Sequence, residues 1–161
     1  MTNRKAIVTG SASGIGAATV LALAEQGYDT VGIDCNLPGA EASALKARAA
    51  GGEHHALLCD VANEAQLVKV MAQAAALLGG LDALATCAGV TESSAFMDLS
   101  AKEFQSVYGI NVIGTFVAIR EAAKTCKQVA ASAPLPAWQA CAVAGWWAQP
   151  PTRPAKARCW P

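Results

Sequence analysis

Thr9-Gly10-Ser11-Ala12-Ser13-Gly14-Ile15-Gly16 is the stretch on which the reading of this chain turns. It follows a short apolar strand pattern, Lys5 to Thr9, and leads at once into a helical pattern from Gly14 to Gln26. Glycines there allow a tight turn and let a ligand approach the backbone. The free N–H groups and the positive end of the helix dipole favour a pyrophosphate. Gly10, Ser11, Ser13, Gly14, Ile15 and Gly16 are therefore candidate binding residues. A glycine-rich strand-to-helix turn can also serve packing alone, so its surroundings decide.

Working outward, a second strand pattern runs from Thr30 to Asp34, so that a carboxylate lies eighteen residues after Gly16. At a strand end an acid can accept hydrogen bonds from the ribose hydroxyls of a dinucleotide, and its charge would repel a 2′-phosphate; NAD is expected over NADP. Pro38 to Ala50 reads as an alanine-rich helix with its proline in the first turn. His55 to Asp60 reads as a third strand, Asn63 as the cap of a helix from Glu64 to Leu78, and Gly79-Gly80 as its stop. Leu81 to Thr86 is a fourth strand. Ser100 and Glu103 form a capping box, with a Leu99–Phe104 staple, for one helix running to about Lys124. Strands and helices alternate throughout, which predicts an α/β fold: a Rossmann-type doubly wound parallel sheet with right-handed crossovers, incomplete at the C-terminus.

Composition narrows the function. The 161 residues suit one domain, and 12 basic against 12 acidic side chains give no reason to expect nucleic acid or an anionic membrane as partner; a small molecule is expected. Met1 to Lys5 leads straight into a strand with no apolar signal region, so a cytoplasmic location is expected. Six scattered cysteines read as reduced thiols, with no metal-ligand spacing. His54 and His55 are adjacent, cannot share one helix face, and read as a solvated loop rather than metal ligands.

From residue 126 the sequence changes character. The last acid is Glu121, Gln128 to Thr152 carries no charge, and all four tryptophans and six of the seven prolines lie at or beyond Pro134. The apolar run Ala140 to Ala148 is far shorter than the ~20 residues of a membrane span, and prolines flank it. Residues 1–125 are accordingly expected to form the nucleotide-binding domain and 126–161 an irregular Pro/Trp-rich tail. A four-stranded sheet with an open edge and such a tail implies marginal stability.

The G-x-x-x-G-x-G spacing resembles the T-G-x-x-x-G-I-G turn of the short-chain dehydrogenase/reductase family, and further matches follow in order. Asp60-Val61 is similar to the pair after the third strand, whose Asp contacts the adenine edge. Thr86-Cys87-Ala88-Gly89 resembles the N-N-A-G motif that ends the fourth strand, with Thr86 and Cys87 in place of both asparagines. Asn111-Val112 resembles the helix Asn that helps orient a proton-relay water. The resemblance implies NAD as cofactor, a secondary alcohol or ketone as substrate of the intact member, and homo-oligomeric assembly.

It also implies a tyrosine–lysine pair, Tyr-x-x-x-Lys, with an upstream serine, as the acid–base machinery. The pair is not found. Tyr28 lies before the second strand, and Tyr108, whose +4 neighbour is Val112, reads as a core or interface residue. The tyrosine belongs roughly 40 residues beyond Asn111, inside the tail. Back-translation from the third base of the Gly145 codon, with CGN codons for Arg153 and Arg158, permits Tyr-(Ser/Ala)-Ala-Ser-Lys across Pro151 to Lys156. The codon straddling Gln139 and Ala140 also permits a serine. A change of frame between about Lys124 and Gly145 is one explanation; a tail native to a non-catalytic NAD-binding or interaction module is another, and a gene with no folded product a third.

Overall fold

The computed structural model describes residues 3–91 and 97–126. The tail from residue 127, with its tryptophans, its candidate serine codon and its frame-shifted tyrosine and lysine codons, lies outside the described residues, as do residues 92–96. Four parallel strands, β1 (Arg4–Thr9), β2 (Tyr28–Asp34), β3 (His54–Leu58) and β4 (Ala83–Thr86), lie in the order β3-β2-β1-β4. Register runs Ile7↔Val31, Ile7↔Leu84 and Val31↔His55.

Successive strand residues point to opposite faces, and the two faces hold separate cores. Ile7, Val31, Ile33 and Leu84 pack with Leu67, Met71, Val117 and Ala118 from helices α3 (Glu64–Leu78) and α5 (Thr115–Thr125). Val8 and Ala85, one residue along, pack on the other face with Val20 and Ala24 of α1 (Gly14–Glu25) and Ala47 of α2 (Leu37–Arg48). Helices on both faces make the sheet doubly wound.

Local chemistry places the helices. The Asn63 side chain accepts from Gln66 N–H at 3.0 Å, and Leu67, Val70, Met71, Ala74, Ala75 and Leu78 repeat on one buried face of α3. Gly79, at φ 67°, ends that helix in the left-handed conformation that glycine adopts most cheaply. Asn36 caps α2 by accepting from Gly39 N–H, with Pro38 in the first turn. Arg120 bridges α5 to Glu64 at the start of α3, 3.0 Å apart.

The helix expected from Ser100 to about Lys124 forms without a break, as α4 (Ala101–Tyr108), an internal π-helical turn Gly109–Gly114, and α5; the π turn is the part not expected. A Cβ on Gly114 would lie 2.9 Å from the Val61 carbonyl; the wider turn occurs where the helix presses on the loop after β3, a device composition does not reveal. The capping box forms, with Ser100 Oγ accepting from Glu103 N–H, but Phe104 is 59% exposed and stacks on Tyr108. Tyr108 is therefore not a core residue.

His54, expected in a solvated loop, is buried at the start of β3. Its Nδ1 lies 2.8 Å from Thr30 Oγ1 and its Nε2 2.9 Å from the Gly51 carbonyl, so both ring nitrogens are satisfied. His55 remains half-exposed beside Glu53.

Leu67 is fully buried in the larger core, whereas Leu21 is exposed at 37%. Leu67→Ala is expected to cost roughly 2–5 kcal/mol in denaturant unfolding, and Leu21→Ala no more than about 0.5 kcal/mol. A loss below about 1 kcal/mol at Leu67 would contradict the assigned core.

Candidate dinucleotide cleft

The turn between β1 and α1 is built by contacts only glycine permits. Gly10 has φ 71°, and a Cβ on it would fall 2.5 Å from Ala88 N. A Cβ on Gly16 would fall 1.9 Å from the Gly10 carbonyl oxygen. Gly14 differs: at φ 52° it has nothing within 4 Å of the same position among the described residues and is open on that side. Ser13 precedes α1 without a side-chain capping bond, so the first-turn amides of that helix carry no hydroxyl cap.

Beside this turn lies a cleft of about 510 Å³ at the C-terminal ends of the strands. Gly10, Ser13, Gly14, Ile15 and Gly16 form its floor. Asp34 and Cys35 line it at the end of β2, Cys59, Asp60 and Val61 after β3, and Cys87, Ala88 and Gly89 after β4. An open parallel sheet binds ligands at this edge, where helix N-termini converge.

Asp34 does more than line the cleft. Its Oδ2 accepts from Ala12 N–H at 2.9 Å and its Oδ1 from Asn36 N–H at 2.8 Å, tying the glycine turn to the end of β2. Each carboxylate oxygen keeps further lone-pair capacity for a hydroxyl. Asp60 Oδ1 accepts from Ala62 N–H at 2.9 Å, which shapes the loop leaving β3.

Asn111, in the π-helical turn, is committed to the wall. Its Nδ2 donates to the Val90 carbonyl and its Oδ1 accepts from Val90 N–H, both at 2.9 Å. That leaves one amide proton and one lone pair for other use. Asn111 itself does not line the cleft; its neighbour Ile110 does.

Ser11 stands apart from the other candidates. It is fully buried, a Cβ on Gly32 would lie 2.5 Å from its Oγ, and that Oγ has no hydrogen-bond partner among the described residues. Its side chain packs under the turn and is not part of the cleft lining.

Cys35 and Cys59 carry no motif signal in the sequence, although each directly follows a strand, and strand C-terminal ends are where an open α/β sheet binds. Burial and the charge of Asp60 push the Cys59 thiol from 9.0 up to about 11. Burial and the neighbouring Asp34 carboxylate raise Cys35. Burial raises Cys87 against a weaker opposing contact with Thr19, 3.9 Å away. All three are held as neutral thiols near pH 7.

The description "short chain dehydrogenase" belongs to the family model that matches residues 4–132. D-threitol dehydrogenase of Mycolicibacterium smegmatis is 39% identical over 112 residues, covering 70% of this chain and 43% of that protein. Glucose 1-dehydrogenase of Gluconobacter oxydans is 32% identical over 124 residues, covering 73% and 45%. A short chain dehydrogenase from Mycobacterium paratuberculosis bound to NAD superposes with TM-score 0.71 at 28% identity, covering 76% of this chain and 50% of that one. One from Burkholderia cenocepacia in complex with NADP does so with TM-score 0.76 at 27% identity, covering 80% and 54%. The chain belongs to the short-chain dehydrogenase family and spans about half the length of the curated relatives it matches.

A raised thiol pKa means that less thiolate is present at any pH below it. Alkylation of the folded chain at about pH 8, followed by peptide mass mapping, is expected to label exposed Cys35 well before Cys59, which is 1% exposed and pushed up to about 11. Labelling of Cys59 as fast as Cys35 in the folded chain would contradict the buried, Asp60-flanked placement.

Proposed function

We propose that this chain is the NAD-binding portion of a short-chain dehydrogenase whose lineage transfers hydride between NAD and a secondary alcohol or ketone, and that the chain as written binds NAD without turning substrate over. The observation that carries the binding half is the open side of Gly14 beside an uncapped helix N-terminus, with Asp34 across the cleft.

The residues suit a dinucleotide. Backbone N–H groups of Gly14, Ile15 and Gly16 would take the pyrophosphate. Asp34 would take the ribose hydroxyls, Asp60 and Val61 would flank the adenine, and Cys87, Ala88 and Gly89 would form the wall along the rest of the ligand. NAD, when bound, supplies the hydride-accepting ring. Asn111 acts as a positioning residue: by fastening Val90 it fixes the Gly89–Val90 backbone that the ligand must pass. Its unspent proton and lone pair could also hold a water, in keeping with the relay role its position resembles.

What is missing is the proton carrier. The only tyrosines are Tyr28 and Tyr108, and neither has a lysine four residues on. Loss of general acid–base catalysis costs roughly 10²–10⁴-fold by itself. The register of the alternative reading frame supports a change of frame upstream of Gly145 as the origin of the tail. The nucleotide sequence from codon 120 onward tests that origin. An alternative frame that stops at once, or encodes nothing like a further strand and helix, would make the Trp-rich tail this protein's own and favour the binding-module reading.

Cofactor choice is tested by calorimetric titration. NAD is expected to bind more tightly than NADP, and the ratio of the two affinities should shrink in Asp34→Ala, because the charge that opposes a 2′-phosphate is removed. The ratio is the readout, since the variant also frees Ala12 N–H and should weaken both ligands. Equal affinities in the native chain would remove Asp34 from the ribose site. Turnover of any secondary alcohol at roughly 1–10³ per second would overturn the inactive reading.

A further inference from the structure

The sheet edge at β3 lies in a groove of about 390 Å³ on the side of the fold away from β4. Leu45 of α2 and Leu77 of α3, exposed at 66% and 45%, line it, and residues 55–57 of the strand form its base. Those two helices belong to opposite faces of the sheet, so the groove wraps around the strand edge. Among the described residues nothing pairs with that edge.

The hydrogen-bond pattern shows which groups are open. Thr30 N–H donates to the Glu53 carbonyl and Cys59 N–H donates to the Asp34 carbonyl. In a parallel ladder this directs the odd-numbered residues of β3 toward β2 and turns the backbone of His54, Ala56 and Leu58 outward. Arg48 closes one end by donating Nε and Nη2 to the His54 carbonyl, at 3.2 and 2.9 Å. Ala56 and Leu58 keep N–H and carbonyl groups facing out. An edge strand of this kind is a template for pairing unless it is blocked.

We propose that the β3 edge is a self-association surface, on which a second copy of this chain adds its own β3 antiparallel, Ala56 opposite Leu58 of the second copy and Leu58 opposite its Ala56. Charge complementarity favours a second copy over an unrelated peptide. Glu41 and Arg48 both line the groove, on either side of Leu45 along α2. A two-fold axis perpendicular to the sheet near Leu57 sets α2 beside α2 on one face, so that each Glu41 meets the other copy's Arg48 and Leu45 meets Leu45. On the other face the same axis brings Leu77 to Leu77. An isologous interface requires such self-complementarity of one patch. Arg48, already fixed on its own strand, keeps Nη1 to offer.

Sedimentation velocity over a concentration series of the full chain tests this. The native chain is expected to dimerise, and Leu45→Glu to raise the dimer dissociation constant at least about tenfold with circular dichroism unchanged. Glu41→Arg and Arg48→Glu should each weaken the dimer alone, and an equimolar mixture should restore it, since only the mixed pair sets opposite charges together. Should Arg48→Glu fail to fold after losing its bond to His54, Leu45→Glu and Glu41→Arg still decide, because neither side chain makes a hydrogen bond or ion pair among the described residues. A native chain monomeric at every concentration would overturn the proposal. So would a dimer that survives Leu45→Glu but is lost in Phe116→Glu, because that result assigns assembly to the exposed face of α4 and α5.

Discussion

Everything at the candidate site depends on how closely the β1–α1 turn is folded onto its neighbours. Gly16 lies so near the Gly10 carbonyl, and Gly10 so near the amide of Ala88, that a single added carbon at either place would overlap backbone. Backbone cannot step aside as a side chain can, so the turn closes with glycine there or not at all. From that closure follow the direction of α1, the exposure of its first amides, and the contact between the end of β4 and the end of β1. Asp34 then locks the arrangement from β2 through Ala12 N–H, while Gly10 N–H donates to the Ile33 carbonyl at 2.8 Å. Asp34, which we propose takes the ribose hydroxyls, is thus also a strut of the glycine turn, so its substitution is expected to disturb the shape of the loop as well.

Most of the architecture is legible in the sequence because local signals agree with one another. Asn63, Gly79 and the apolar repeat of α3 each point to the same helix, and alternation of strand and helix leaves a parallel sheet as the natural arrangement. Illegible features are those set by tertiary contact alone. The π-helical turn arises where Gly114 meets Val61, and no local propensity marks it. His54 looks polar and solvated in sequence, yet Thr30 and the Gly51 carbonyl satisfy both nitrogens and allow burial. The Ser11 side chain turns under the loop against Gly32, a placement that its position in the motif does not reveal.

The fourth-strand motif shows how the fold tolerates departures from the family pattern. Thr86 and Cys87 stand where asparagines are usual, and Cys87 rests against Thr19 and the smaller core, a half-buried place that a thiol fills as a small apolar group. Ala88 and Gly89 keep the backbone that approaches the glycine turn. Asn111 meanwhile secures the next residue, Val90, by two hydrogen bonds. Backbone geometry is retained by this division, with the polar side chains of the motif replaced.

A dinucleotide, as proposed, would lie across the glycine turn and the ends of β2, β3 and β4. The most direct test follows backbone amide shifts of the isotopically labelled chain by NMR as NAD is added. The account predicts saturable shifts at Gly14, Ile15 and Gly16, at Cys35 after β2, at Asp60 after β3 and at Gly89 after β4, with Leu45 and Ala56 in the distant groove unmoved. Absence of shifts at the glycine turn at saturating NAD, or shifts confined to that groove, would contradict it.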